Sequence, residues 1–286
     1  YAALHLLRYA KARGWRTVLG QIAPGIAEEK IVIAEHAKNP DLSPDWKPVP
    51  SEYWSQWQKE CKLADAVVVN SDWSKTLIEK AGVETDKIKT ISLAYNFSKY
   101  SEKFHRRYPA TFTHERPLRV LFLGLITLRK GIASLLEAVK TLKDKPIEFW
   151  MVGPTEIEIP NELLNHSQIR WVGTVPRSQV HHYYRRADVF IFPTLSDGFG
   201  LTQLEAQTWK LPIISSKNCG QVVCHQENGL VLPKVSSREI SSALELCLTH
   251  PEMLANLSKN AEISNTFKLA QLEQKLLSTF NNEKFQ

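Results

Sequence analysis

The stretch from Asp188 to Ser215 limits what this chain can fold into more than any other. Asp188-Val-Phe-Ile-Phe-Pro193 is apolar at successive positions, as a parallel strand covered on both faces requires. Leu195-Ser-Asp-Gly-Phe-Gly200 is loop chemistry. The apolar-periodic segment after it holds no Gly or Pro until Lys210-Leu-Pro-Ile-Ile-Ser215, a second short strand. Strand, glycine loop, helix and strand make one unit of an open α/β sheet. In such sheets ligands sit at the carboxyl ends of strands, where helix N-termini present free amides. Asp197 lies in the loop, and Glu205, eight residues on, falls about one turn into the helix. The two acids are read as facing one cleft, with the Gly198 and Gly200 amides within reach of an anion between them.

The alternation extends in both directions. Residues 2–13 read as a helix stopped by Gly14, 16–19 as a strand and 20–25 as a loop. Residues 26–48 give no clear period, and Asn39 to Asp45 is loop chemistry. An aromatic helix follows Pro50; Tyr53, Trp54 and Trp57 in it are read as packing residues ahead of sugar or lipid platforms. Ala66–Asn70 is a strand, Ser71 caps a helix through Ala81, and Ile88–Leu93 is a strand. From 95 to 117 the pattern stops, with Pro109 and Pro117 and the cluster Lys103-Phe-His-Arg-Arg107, which reads as a solvated connector. A second series starts at Leu118–Gly124, continues through strands at 147–152, 169–172, 188–193, 212–215 and 229–232, and ends in helices at about 237–249, 251–262 and 265–281. The organisation expected is therefore a first α/β unit at 1–95, a linker at 96–117, a second unit at 118–262 and a C-terminal helix at 263–286. Because the chain opens at Tyr1 inside a helical pattern, it is expected to be a fragment.

Composition narrows the functional classes. An apolar fraction of 43% and a charged fraction of 23% suit a globular protein, and no apolar run approaches the ~18 residues of a membrane span. The net charge of +6 favours anionic partners, among them a phosphorylated ligand or an acidic membrane surface, but no dense basic block points to nucleic acid. Cys61, Cys219, Cys224 and Cys247 form no Cys-x-x-Cys pair and no zinc-finger spacing with His. Reduced, mostly buried thiols in a cytoplasmic protein are expected, with peripheral contact at the inner face of a membrane allowed by the charge.

Gly124 to Gly131 is a strand-to-helix loop carrying Arg129 and Lys130. Cations at a helix start oppose the helix dipole, so packing alone does not select them, whereas a diphosphate does. Neither Gly-x-Gly-x-x-Gly nor a P-loop is present. Asp197 and Glu205 suit either acid/base work or the binding of ribose and sugar hydroxyls.

The ordered set Gly124…Arg129-Lys130-Gly131, Val152-Gly153-Pro154, Trp171-Val-Gly173, Ala187–Pro193 and Asp197-Gly-Phe-Gly-Leu…Glu205-Ala206 resembles the donor domain of retaining GT-B glycosyltransferases, the large group with a Glu-x7-Glu motif (glycosyltransferase family 4). Val68-Val-Asn-Ser71 with Ala81-Gly-Val83 resembles the end of the group's acceptor domain. The resemblance implies two Rossmann-like domains with parallel sheets facing a cleft, the first of them incomplete, and a C-terminal helix that crosses back to the first. It implies transfer of a hexosyl-type sugar from a UDP-, GDP- or ADP-linked donor to a sugar, lipid or glycan acceptor, with retention, without a metal and without another cofactor. It further implies that Glu205 holds the ribose, that Asp197 with the backbone of Gly198, Phe199, Gly200, Leu201 and Thr202 holds the sugar and phosphates, and that Lys130 holds the diphosphate. Arg129, Gly124 and Gly153 would complete the donor site, and Gly173, Thr174 and Val175 would face the base. Stabilising a departing diphosphate with Lys130 and helix amides is then the main catalytic task.

Three departures stand out. The first motif acid is Asp197, the Arg expected after Gly124 is Leu125, and Gly20-Gln-Ile-Ala-Pro lacks the His the group often carries there. Two rival readings follow: a nucleotide-sugar-binding or scaffold protein with impaired transfer, and a sugar-nucleotide epimerase of the same fold.

Overall fold

The computed structural model describes residues 3–96 and 103–281. Residues 97–102 of the expected linker, the first residue of the expected 2–13 helix and the end of the C-terminal segment from 282 lie outside the described residues.

The chain builds two parallel sheets. In the first, β1 (Val18–Gln21), β2 (Ala66–Val69) and β3 (Ile88–Thr90) lie in that order. The connections are α1 (Leu4–Ala12) before β1, α2 (Ile26–Lys38) and α3 (Ser51–Leu63) between β1 and β2, and α4 (Asp72–Lys80) before β3. Trp57 of α3 is fully buried against Leu19, Val67, Val69 and Ile78, so packing decides its role. The Glu60 carboxylate in the same helix accepts the Ala3 and Leu4 amides at 2.9 and 3.0 Å, capping α1 with a negative charge at its positive end. Helix α2 fills the first part of the stretch in which the sequence shows no clear period. It buries only Val32 and Glu35, too narrow a stripe to register as amphipathic.

The second sheet holds β4 (Leu118–Leu123), β5 (Ile147–Val152), β6 (Ile169–Gly173), β7 (Val189–Phe192), β8 (Ile213–Ser215) and β9 (Gly229–Val231) in the order β6-β5-β4-β7-β8-β9. Its helices are α5 (Ile132–Thr141), α6 (Asn161–Leu164), α7 (Val180–Arg186), α8 (Leu201–Thr208), α9 (Ser237–Thr249) and α10 (Pro251–Asn260), followed by α11 (Leu269–Asn281). Successive strand side chains point to opposite faces. Thus Leu118, Val120 and Phe122 of β4 pack with Ile132, Leu135, Leu136 and Val139 of α5 on one face, while Leu121 joins Phe190, Phe192 and Tyr184 on the other. Burying each such Leu, Ile, Val or Phe stabilises the fold by about 1.5–3 kcal/mol, which is why these strands are apolar throughout.

The cluster at 103–107 is not simply a solvated connector. The Arg106 guanidinium is half-buried and donates to the carbonyls of Tyr184 at 2.7 Å, Trp209 at 2.8 Å and Lys210 at 3.2 Å, and to that of Ala187. It ties the segment to the ends of α7 and α8, whose last carbonyls lack helix partners. The C-terminal segment also reaches the first half of the chain: the Tyr95 amide donates to the Phe267 carbonyl at 3.0 Å, and Arg16 lies 5.9 Å from the Phe280 ring centroid. Three thiols, Cys61, Cys219 and Cys247, are buried, and Cys224 is exposed. Among the described residues no helix is long and apolar enough to cross a membrane.

Candidate active site

The strand order reverses between β4 and β7. The loops leaving those neighbouring strands therefore open a crevice at the carboxyl edge of the sheet. After β4 a tight turn, Leu128–Lys130, ends at Gly131 in the left-handed region (φ 74°). A Cβ at Gly131 would stand 1.9 Å from the Pro193 carbonyl oxygen, so only glycine lets this loop lie against the end of β7. The Leu195 amide then donates to the Arg129 carbonyl at 2.9 Å, and the two loops are joined.

That junction brings Lys130 and Asp197 together. The ammonium and the carboxylate form a hydrogen-bonded ion pair with side chains only 13% and 16% exposed. Lys130 also lies 5.0 Å from the Phe192 ring centroid, a cation–π position. Arg129 Nη1 donates to the Ser196 carbonyl at 2.8 Å and stands 3.9 Å from both Asp197 Oδ2 and Glu28 Oε2. Glu28, in the first turn of α2, thus joins the cluster from the other half of the chain. Burial pushes its carboxyl above the ordinary value; Arg129, the Ser196 hydroxyl and Lys130 oppose that, and Asp197 adds to it.

The 195–200 loop is clamped from the first half. Ser71 Oγ and Ser74 Oγ donate to the Gly198 carbonyl at 2.6 and 3.2 Å, and Trp73 Nε1 donates to Ser196 Oγ at 3.0 Å. A Cβ on Gly198 would stand 1.8 Å from the Ile22 carbonyl oxygen. The Phe199 ring points away from the crevice, into a buried cluster with Leu204, Val222 and Phe267. Its amide donates to Asp197 Oδ1 at 3.3 Å. Phe199 therefore anchors the loop, a role not expected from its place in the motif. Gly200 (φ 84°) begins α8, and no side chain caps that helix. First-turn amides have no acceptor within their own helix, so those of Leu201 and Thr202 suit an anion.

Glu205, fifth in α8, belongs to a second group. The Tyr184 hydroxyl donates to Glu205 Oε2 at 2.8 Å. Burial, and then Glu205, pushes Tyr184 well above its ordinary range. Tyr95 is likewise pushed up by burial and by Glu205, with Arg177 opposing. Among the described residues no hydrogen bond or ion pair joins Glu205 to Asp197. Gly124, Gly153 and Gly173 end β4, β5 and β6, with the Gly124 amide on the Val152 carbonyl and the Gly153 amide on that of Gly173, both at 2.9 Å. Thr174 is exposed and Val175 half-buried beyond them. Among the described residues no three His, Cys, Asp or Glu side chains gather as a metal site.

Sequence reasoning did not anticipate the roles of Glu28, Ser71 and Tyr184. Ser71 signals only a helix cap, Tyr184 only a helix face, and Glu28 sits in a helix with no visible period.

Comparison with known proteins bears on what this crevice belongs to. The family model described as glycosyl transferases group 1 matches residues 107–264, just over half of the chain. A Campylobacter jejuni N,N'-diacetylbacillosaminyl-diphospho-undecaprenol alpha-1,3-N-acetylgalactosaminyltransferase is 25% identical over 220 residues, covering 72% of this chain and 57% of the relative. A Corynebacterium glutamicum D-inositol 3-phosphate glycosyltransferase is 28% identical over 243 residues, covering 77% and 57%. Among solved structures, Anabaena HepE in complex with UDP and glucose superposes with a TM-score of 0.69 at 17% identity, over 98% of this chain and 75% of that one. Sucrose-phosphate synthase from Thermosynechococcus elongatus does so with 0.71 at 19% identity, over 93% and 67%. These likenesses show the fold, an α/β GT-B arrangement of parallel sheets. The chain spans just over half the length of the curated relatives it matches. By the match over residues 107–264, it belongs to the glycosyl transferases group 1 family.

Proposed function

We propose that this chain binds a nucleotide-diphosphate sugar at the β4–β7 crevice and is part of a retaining, metal-independent glycosyltransferase. The observation that carries the reading is Lys130 held by Asp197 beside the uncapped start of α8. A cation and a set of helix amides at one point match a departing diphosphate, and charge-assisted hydrogen bonds to phosphate are strong. On this reading the Asp197 carboxylate keeps Lys130 in place until the diphosphate takes its cation, and Asp197 then turns to a sugar hydroxyl. Glu205, already fixed by Tyr184, accepts the ribose hydroxyls, and Gly173 to Val175 border the base. HepE, which shares the fold, is seen with UDP and with glucose, and this supports a UDP-type donor. Buried free thiols support a reducing, cytoplasmic setting.

A thermal-shift panel of UDP, GDP and ADP tests the reading. At least one nucleotide raises the melting temperature of the chain, and Glu205→Ala removes the rise. No response to any of the three sinks it. The rival reading, donor binding without transfer, has one observation in its favour: Leu125 replaces a cation, and Arg129 is committed to the Ser196 carbonyl between two carboxylates. Turnover of a nucleotide sugar by the protein eliminates that rival.

A further inference from the structure

A pocket of about 590 Å³ opens between α7, the end of α8 and the chain that precedes β4. His181 and Arg185 line it from α7, Trp209 from the end of α8, and Tyr95, Lys103 and Phe104 from the preceding chain. Trp209 follows the last residue of α8, at the opposite end of that helix from Gly200 and the free amides. Among the described residues, none that line the pocket belongs to the donor crevice. We propose that this pocket is a second ligand site, that it takes a phosphorylated sugar, and that Arg185 and Lys103 hold the phosphate while the sugar ring lies on Trp209. The proposal stands apart from the donor reading of the β4–β7 crevice and does not depend on it.

Charge is the first support. Lys103, His181 and Arg185 face the pocket, and among the described residues no Asp or Glu lines it. Neither the 103–107 run nor α7 contains an acidic residue. Arginines in the last turn of a helix ordinarily answer its carbonyl end. Here Arg106 does that work, because it takes the carbonyls of Tyr184, Arg185 and Ala187. The exposed Arg185 side chain is therefore left without a hydrogen bond or ion pair among the described residues. It is nonetheless held in place: its Cζ lies 5.6 Å from the Phe104 ring centroid and 5.5 Å from that of Trp209. A guanidinium held through its face keeps its N–H fork free, and that fork meets a phosphate with two parallel hydrogen bonds. Lys103, exposed and likewise without an ion pair among the described residues, adds a second cation.

Shape is the second support. The volume is that of a small-molecule site, and a bare phosphate fills little of it. Half-buried Tyr95, Phe104 and Trp209 supply flat apolar wall. A nucleobase slotted between two rings needs them parallel and about 7 Å apart, twice a carbon contact distance. The Phe104 and Trp209 rings stand at 82°, and His181 lies only 6.0 Å from Trp209, so these rings form no such slot. A sugar needs one open face for its C–H side, and Trp209 offers the largest. The Tyr95 hydroxyl has no hydrogen-bond partner among the described residues and is free for a hydroxyl of the sugar.

Titration calorimetry on the whole chain tests this. The probes are glucose 1-phosphate, glucose 6-phosphate and mannose 6-phosphate, with glucose, mannose and inorganic phosphate as controls. At least one phosphorylated sugar binds about tenfold more tightly than its parent sugar and than inorganic phosphate. Arg185→Ala weakens it roughly 10- to 150-fold, the worth of charge-assisted hydrogen bonds, and Arg185→Gln, which still covers the two rings, weakens it as much. Lys103→Ala weakens it about threefold, the scale of an exposed ion pair. Lys130→Ala, in the donor crevice, leaves it unchanged. Arg185 makes no polar side-chain contact, so its variants keep the melting temperature of the original. If either unfolds, Lys103→Ala and the ranking of probes on the unsubstituted chain still decide. Phosphorylated sugars that bind no better than inorganic phosphate, or that bind as well to Arg185→Gln, overturn the proposal. So does loss of their binding in Lys130→Ala, which places them in the donor crevice.

Discussion

The hydroxyl of Ser71 donates to the carbonyl of Gly198 at 2.6 Å, across 127 positions of sequence. The same oxygen accepts the Ser74 amide and so caps α4. One side chain thus begins a helix in the first half of the chain and seats the loop that carries Asp197 in the second. The seat works because Gly198 has no side chain: the Ile22 backbone occupies the space where a Cβ would be.

Gly198→Ala therefore forces the halves apart. The added methyl group meets backbone, which cannot rotate away as a side chain can. We expect a loss of roughly 2–3 kcal/mol in urea unfolding, at the upper end of overpacking. Ser71→Ala, which deletes a cap and a cross-link but adds no clash, costs about 1–2 kcal/mol. A Gly198→Ala protein as stable as the original argues against direct contact of the two halves.

Lys130→Ala removes the cation from the crevice. Charge-assisted hydrogen bonds contribute about 1.5–3 kcal/mol, so nucleoside diphosphate affinity measured by titration calorimetry falls roughly 10- to 150-fold. Lys130→Arg restores the charge with a different shape and recovers only part of the loss. Unaltered affinity in Lys130→Ala removes Lys130 from the donor site.

Tyr184→Phe separates binding from support. Its hydroxyl reaches Glu205 Oε2 at 2.8 Å but is itself buried. Deleting it frees Glu205 to swing, and nucleotide affinity drops by about 0.5–1.5 kcal/mol, less than the loss from Glu205→Ala. The reverse ranking contradicts a positioning role for Tyr184.

Glu28 gives a pH signature. Its folded pKa is raised from 4.5, chiefly by burial, so between 4.5 and the raised value the native state binds more protons than the unfolded chain. Stability contributed at this site is present below that window and declines as pH rises through it. Glu28→Gln cannot titrate. The melting-temperature difference between variant and original should therefore grow in the variant's favour as pH climbs above 4.5, and a flat difference refutes the shift.

What the sequence determined by itself was the periodic part. Runs such as Val189–Phe192 have no polar face and must be covered on both sides, which dictates parallel strands with helices on both faces. Loops ending in Gly131 or opening at Gly200 mark where helices start, so Lys130 and Asp197 were legible as loop residues and Glu205 as a residue about one turn into a helix. Tertiary structure alone decided which of them meet. Strand order places β4 beside β7, and that adjacency, not the spacing of Asp197 and Glu205, pairs Asp197 with Lys130 and leaves Glu205 to Tyr184. The same is true of α2. Helix α2 buries only Val32 and Glu35 along its length, and part of its contact is polar and made to the other half of the chain, so it carries no apolar stripe wide enough for a pattern to reveal. Glu28 becomes part of the site only when Arg129, 101 positions later in the sequence, is brought to 3.9 Å from it. Periodicity records what a segment buries against its own sheet; it carries no record of which distant charge it will face.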